Sequence, residues 1–200
     1  PGRVVMLSKG FDLCKKHFDV EATHLLDPTM LLDKEVYISL VDKENVKESP
    51  GNLFTYILDS SDEKNSIVNT IATKYNLKPF SVMQPKKFYD KERQGINDCV
   101  FPPVEEWIRG FIDAEFVVTD SFHGTVFSIL FNKPFVSIGN KGRGLSRFTS
   151  LLKMFKLENR LIFNSEYCNL DNLNSIDWER TNSILRDKRE KSLRFLYEYF

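Results

Sequence analysis

The sequence predicts an α/β protein, built on a mainly parallel sheet with helices on both of its faces. Three observations carry that prediction. Short apolar, β-branched runs alternate with segments whose apolar residues recur at helical spacing, as strand–helix units require. The clearest run, Val117-Val118-Thr119, ends in a polar turn and enters a helix at once through Asp120-Ser121-Phe122-His123-Gly124. The 200 residues suit one domain, long enough to bury a sizeable core.

Residues 3–7 are expected as a strand and 9–17 as a short helix. A second strand, 22–26, is closed by Asp27-Pro28, a helix cap followed by proline at the first helical position. The third strand spans 53–58. Ser60 and Ser61 then cap a helix in which Ile67, Ile71 and Tyr75 recur every four positions. A fourth strand covers 79–83. Residues 84–100 are polar, mixed in charge and without period, and are expected as a long loop of the kind that often serves function. Pro102-Pro103 opens a helix that lines up Val104, Trp107, Ile108 and Phe111 on one stripe. The fifth strand is 116–119, its helix 122–131, and the sixth strand 134–138. A glycine-rich loop, 139–144, leads into a helix over 145–155, and a long helix over 178–200 closes the chain. These elements describe a single Rossmann-like domain over 1–200.

Bulk composition excludes several function classes. The 28 basic and 28 acidic side chains cancel, so no global field draws the chain to nucleic acid or an anionic membrane. Cys14, Cys99 and Cys168 are odd in number and far apart, which fits neither a disulfide framework nor a cysteine zinc site. The most apolar stretch, 116–138, is interrupted by Asp120, His123, Gly124, Asn132, Lys133 and Pro134. A membrane span needs about 20 largely uninterrupted apolar residues, so no transmembrane segment is expected. The chain opens Pro1-Gly2-Arg3 without a signal core, and is expected to be a fragment or processed form of a cytoplasmic protein.

His123 is the histidine best placed for chemistry. In an open α/β sheet, ligands gather outside the carboxyl ends of the strands, against the first turn of the next helix. The positive end of a helix disfavours an imidazolium by roughly 0.3–1 kcal/mol, and a bound phosphate dianion would reverse that bias. A histidine there could act as an acid once an anionic substrate arrives. Ser121, Gly124 and Thr125 offer backbone amides and two hydroxyls around the same point. Position alone is equally met by a plain helix start, with Asp120 or Ser121 as the cap.

The loop 139–144 is the second candidate, because Lys141 and Arg143 lie between glycines at another strand end. Its glycines run G-x-x-G-x-G, so it is not a dinucleotide fingerprint, and from spacing alone a solvated loop explains it better. Arg147, in the next helical turn, could share either role. His17 suits a helix C-terminus and His24 a strand interior; the three histidines show no metal-ligand spacing. No metal and no cofactor is therefore expected. No G-x-S-x-G and no cysteine beside a histidine appears. The closing helix is basic and amphipathic, but Glu179, Asp187, Glu190 and Glu198 dilute its charge. Such a helix is expected to pack on the sheet or on a neighbouring domain.

Several segments, in this order, resemble the polysaccharide pyruvyl transferase family. They are Asp27-Pro28-Thr29-Met30-Leu31-Leu32, the run Phe116-Val117-Val118-Thr119-Asp120-Ser121-Phe122-His123-Gly124, Pro134-Phe135-Val136-Ser137-Ile138, and Ser146-Arg147-Phe148 with Leu151-Leu152. The resemblance covers most of 9–160 and implies the C-terminal half of a two-domain, GT-B-like enzyme. It implies transfer of a pyruvyl group from phosphoenolpyruvate to two sugar hydroxyls, giving a cyclic ketal. The acceptor would be a polysaccharide or its lipid-linked precursor, met in the cytoplasm or at the inner membrane surface, and the N-terminal half would be a partner. His123 matches the family histidine, with the implied role of general acid. Ser121, Gly124, Thr125, Lys141, Arg143 and Arg147 would then surround the donor. Ser121 stands where many members carry arginine, and Val5-Met6-Leu7-Ser8 where Arg-Glu is usual. Two other readings stay open: half of a nucleotide-sugar glycosyltransferase, and a non-catalytic module that binds an anionic sugar.

Overall fold

Sorting of apolar residues onto alternate sides of each strand builds this molecule. The structure is a computed structural model that describes residues 4–5, 8–83, 95–139, 144–163 and 175–199. In chain order its elements are β1 (Val4–Val5), α1 (Ser8–Phe18), β2 (Thr23–His24), α2 (Lys34–Lys43), β3 (Leu53–Tyr56), α3 (Asp62–Tyr75) and β4 (Pro79–Phe80). There follow α4 (Val104–Asp113), β5 (Phe116–Thr119), α5 (Phe122–Leu130), β6 (Phe135–Ile138), α6 (Leu145–Phe155), β7 (Leu161–Ile162) and α7 (Trp178–Tyr199).

Five strands form one parallel sheet in the order β4-β3-β5-β6-β7. The chain steps one way from β3 to β4 and the other way from β5 through β7. The order therefore reverses between β3 and β5, at the pair Tyr56↔Thr119. That reversal is the place where open α/β sheets leave a crevice. The fold is α/β and Rossmann-like.

Period-two alternation explains the two layers of core. Phe54, Val117 and Phe135 pack with α2, α4, α5, α6 and α7, through Val41, Phe111, Phe127, Leu152 and Leu185. Their neighbours Leu53, Phe116, Val118 and Val136 face the other way, onto Ile67, Val68 and Ile71 of α3. Gly110 is glycine because a Cβ there would meet the Phe54 ring at 2.8 Å. That close approach lets α4 lie on the sheet.

Three sequence expectations need correction in detail, and one element goes unannounced. The first two strands do not join the main sheet; Val4–Val5 pairs with Thr23–His24 as a separate two-stranded ribbon. The strand expected over 53–58 ends at Tyr56, because the amides of Leu58 and Asp59 turn away to bond the Asp120 carboxylate. The helix expected to start at Asp27-Pro28 is a single 3-10 turn, Pro28–Met30, and α2 starts afresh after Asp33. Arg189 accounts for the break, since it takes the carbonyls of Met30 and Leu32 that a continuing helix would use for its own amides. Finally, Leu161–Ile162 adds a strand, β7, that no periodicity announced. Most of the long loop, residues 84–94, lies outside the described residues.

Candidate active site

The site begins with how β5 ends. Thr119 is fully buried, and its hydroxyl donates to the Tyr56 carbonyl at 2.7 Å while accepting from the Ser121 amide at 3.0 Å. This pins the β5 tip to β3 across the reversal of strand order. Asp120 adds a second stitch. Its carboxylate accepts from the amides of Leu58 at 2.7 Å and Asp59 at 3.1 Å, and pairs with Lys64 at 2.6 Å. Burial first, then the Asp120 charge, pushes the Tyr56 phenol above its ordinary range. The carboxyl end of the reversal is thus a rigid, polar seam.

Helix α5 starts directly on that seam. Ser121 is its cap, in extended conformation, and its hydroxyl accepts from the Gly124 amide at 3.3 Å. Gly124 is needed because a Cβ would run into the Thr119 hydroxyl and lie 2.9 Å from Thr119 Cβ. Thr125 is fully buried, donates to the Ser121 carbonyl at 3.1 Å, and shares a 2.7 Å bond with the Ser137 hydroxyl of β6. The three residues expected around a ligand therefore bond to one another and to the strands beneath. They fix the turn from which His123 projects.

His123 is the exposed member of this turn. Its side chain is 52% exposed, and its Nε2 lies 3.7 Å from Oδ2 of Asp27, whose side chain is only 6% exposed. That is an ion-pair separation rather than a hydrogen bond. The other Asp27 oxygen, Oδ1, accepts from the Thr29 amide at 3.0 Å and the Thr29 hydroxyl at 2.6 Å. Burial pushes the Asp27 carboxyl up, but the adjacent His123 imidazole and the two Thr29 bonds outweigh it and hold it below the usual carboxylate value. A half-exposed imidazole backed by a buried, ionised carboxylate is an arrangement suited to giving and taking a proton.

Two further groups border the pair. Phe122 sets its ring edge-on to the His123 ring at 5.5 Å, and the Arg147 guanidinium stacks over Phe122 at 5.2 Å. Gly144, in the left-handed region at φ 63°, starts α6 and leaves room for Arg147 to fold back over it. Arg147 thus belongs to the same face as His123. On the other side, Tyr37 donates to the Thr29 carbonyl at 2.8 Å. Burial and then the Asp27 charge push its phenol up. Lys141 and Arg143 lie outside the described residues.

In the sequence Asp27 reads as a helix cap alone, which suffices to explain it. The structure gives it both parts: one oxygen caps the turn, the other faces His123. The Asp-Pro-Thr run was itself the available signal, as capping needs only one of the two oxygens. Among the described residues no three His, Cys, Asp or Glu side chains gather as a metal site, and no helix is long and apolar enough to cross a membrane.

Fold and site together define a Rossmann-like α/β domain whose candidate chemistry stands at the carboxyl end of β5, beside the reversal of strand order. The family model for polysaccharide pyruvyl transferase matches residues 8–142, and the chain belongs to that family. In general terms, the family's activity is polysaccharide pyruvyl transfer. No curated protein and no solved structure matches the chain. The matched span includes Asp27, Ser121, His123, Gly124 and Thr125.

Proposed function

We propose that this chain is the donor-binding half of an enzyme that transfers a pyruvyl group from phosphoenolpyruvate to two hydroxyls of a sugar. The observation that carries the reading is the half-exposed His123 backed by buried Asp27, in a chain of this family. His123 as imidazolium gives its proton to the methylene carbon of the donor, which becomes a methyl group. The adjacent carbon becomes oxocarbenium-like and one sugar hydroxyl adds to it, losing a proton that restores the imidazolium. Phosphate then leaves, the second hydroxyl closes the ketal, and its proton departs with the phosphate. General acid help of this kind is worth roughly 10²–10⁴-fold.

Arg147, stacked on Phe122 at the edge of the site, would hold the donor's phosphate or carboxylate, with Lys141 and Arg143 from the preceding loop as its partners. Ser121, Gly124 and Thr125 set the helix start that faces the donor. The acceptor is a polysaccharide or its lipid-linked precursor, and an N-terminal half in a GT-B-like arrangement would complete the acceptor side. On this reading the protein works in the cytoplasm, at the inner membrane surface when the acceptor is lipid-linked.

Calorimetry with phosphoenolpyruvate, a uridine nucleotide and inorganic phosphate tests the donor class. Saturable phosphoenolpyruvate binding that Arg147→Ala weakens about tenfold is expected. Tighter binding of the uridine nucleotide would favour a nucleotide-sugar glycosyltransferase activity instead, and no binding of any of the three would favour a non-catalytic module.

A further inference from the structure

Asp27 sits on a segment with little regular structure of its own: only one 3-10 turn separates β2 from α2. A carboxylate meant to stay 3.7 Å from an imidazole needs firmer support than that. The support comes from the far end of the chain. The Leu26 amide, immediately before Asp27, donates to the Ser192 hydroxyl of α7 at 3.1 Å, in a fully buried bond. Past Asp27, the Arg189 guanidinium donates to the Met30 carbonyl at 2.8 Å and the Leu32 carbonyl at 2.9 Å, and pairs with the Asp33 carboxylate. Ser192 and Arg189 lie one turn apart on one helix, and their ties bracket Asp27 on both sides.

The fork of an arginine suits this task, since a planar guanidinium can hold several backbone carbonyls in a fixed pattern that a lysine cannot reproduce. Both side chains are well covered: Ser192 is 1% exposed and the Arg189 side chain 14%. Within α7, Ser192 also donates to the Lys188 carbonyl at 2.8 Å, which orients its oxygen toward Leu26.

We infer that α7 is a strap whose Arg189 and Ser192 are positioning residues for the reaction, acting on His123 only through the placement of Asp27. The inference rests on the proposed general-acid role of His123, and it assigns a function to the closing helix that its amphipathic pattern does not reveal.

Two measurements test it separately from that role. The first needs no substrate. In Arg189→Gln and Ser192→Ala, amide hydrogen exchange at Leu26 and Thr29 should quicken about tenfold or more, while the amides of α5 keep their protection. Unchanged exchange at both sites overturns the strap. The second is epistasis in phosphate release from phosphoenolpyruvate with a panel of methyl hexosides, measured in the full-length protein. Each variant should lower kcat about tenfold, leave the donor KM within about twofold, and lower kcat less than about twofold when introduced into Asp27→Asn. A loss that persists undiminished in the Asp27→Asn background means that α7 acts by another route, and overturns the inference. If His123→Ala proves fully active, the function reading falls instead, and the exchange data alone then judge the strap. Because the two variants remove different ties, a failure of one to fold leaves the other to decide.

Discussion

Oδ2 of buried Asp27 faces Nε2 of half-exposed His123 at 3.7 Å, while Oδ1 of the same carboxylate caps the turn that carries it. One residue is thus both a local structural cap and a tertiary partner. The cap fixes the carboxylate's orientation, and burial keeps water from competing for the charge. The imidazole keeps its other side toward solvent, where a substrate can reach it.

Replacement Asp27→Asn removes the charge but retains an oxygen that can accept from Thr29, so the turn should persist. The variant leaves His123 without a charged partner at 3.7 Å. It should lose about tenfold or more in kcat. An unchanged kcat would show that the pair is inert in the reaction.

Acid stability follows from two depressed carboxyls. Burial raises Asp27 and Asp113, but the His123 imidazole and the Thr29 bonds in one case, and bonds from Arg109 and Ser49 in the other, bring both below the ordinary value. A carboxyl depressed on folding adds stability above its unfolded pKa of about 3.9, and loses it as pH falls through the lower folded value. Urea midpoints should therefore fall steeply below about pH 4. Asp113→Asn should flatten that fall, whereas equal slopes in variant and parent would refute the assignment.

At Gly124 the prediction is steric. Gly124→Ala drives a Cβ against Thr119 at the tip of β5, and should cost about 1–3 kcal/mol of stability. Thr119→Ala alone is also destabilising, because it strips partners from the Tyr56 carbonyl and the Ser121 amide. Combined, the two changes should cost clearly less than their sum. Strict additivity in thermal unfolding would mean that the two side chains do not meet.

The seam across the strand reversal gives a fourth test. Lys64 and Asp120 are 13% and 3% exposed in their side chains, and pair at 2.6 Å. Lys64→Met leaves a buried carboxylate with backbone amides only, and should destabilise the protein by about 3–5 kcal/mol. A change under about 1 kcal/mol in chemical denaturation would show that solvent reaches the seam.

Much of this architecture is legible in the sequence, for identifiable reasons. Strands β5 and β6 read correctly because Val117, Val118, Phe135 and Val136 are buried on both faces and form continuous apolar runs. The His123 turn read correctly because strand, cap and helix follow without a gap. Helix α2 was hidden by the stronger capping signal at Asp27, which a tertiary contact from Arg189 limits to a single turn. Strand β7 has two residues and exists only through its pairing with Ser137 and Ile138. The partnership of Asp27 with His123, and its support by α7, join segments remote in the chain. No local pattern encodes them; they follow from where the sheet and helices place each segment.

On the proposed reading His123 is the proton donor to the enol carbon. Phosphate release from phosphoenolpyruvate with a panel of methyl hexosides, compared between parent and His123→Gln in the full-length protein, is the decisive assay. A loss of roughly 10²–10⁴-fold in kcat with folding intact is expected. A variant within about threefold of the parent would overturn the role.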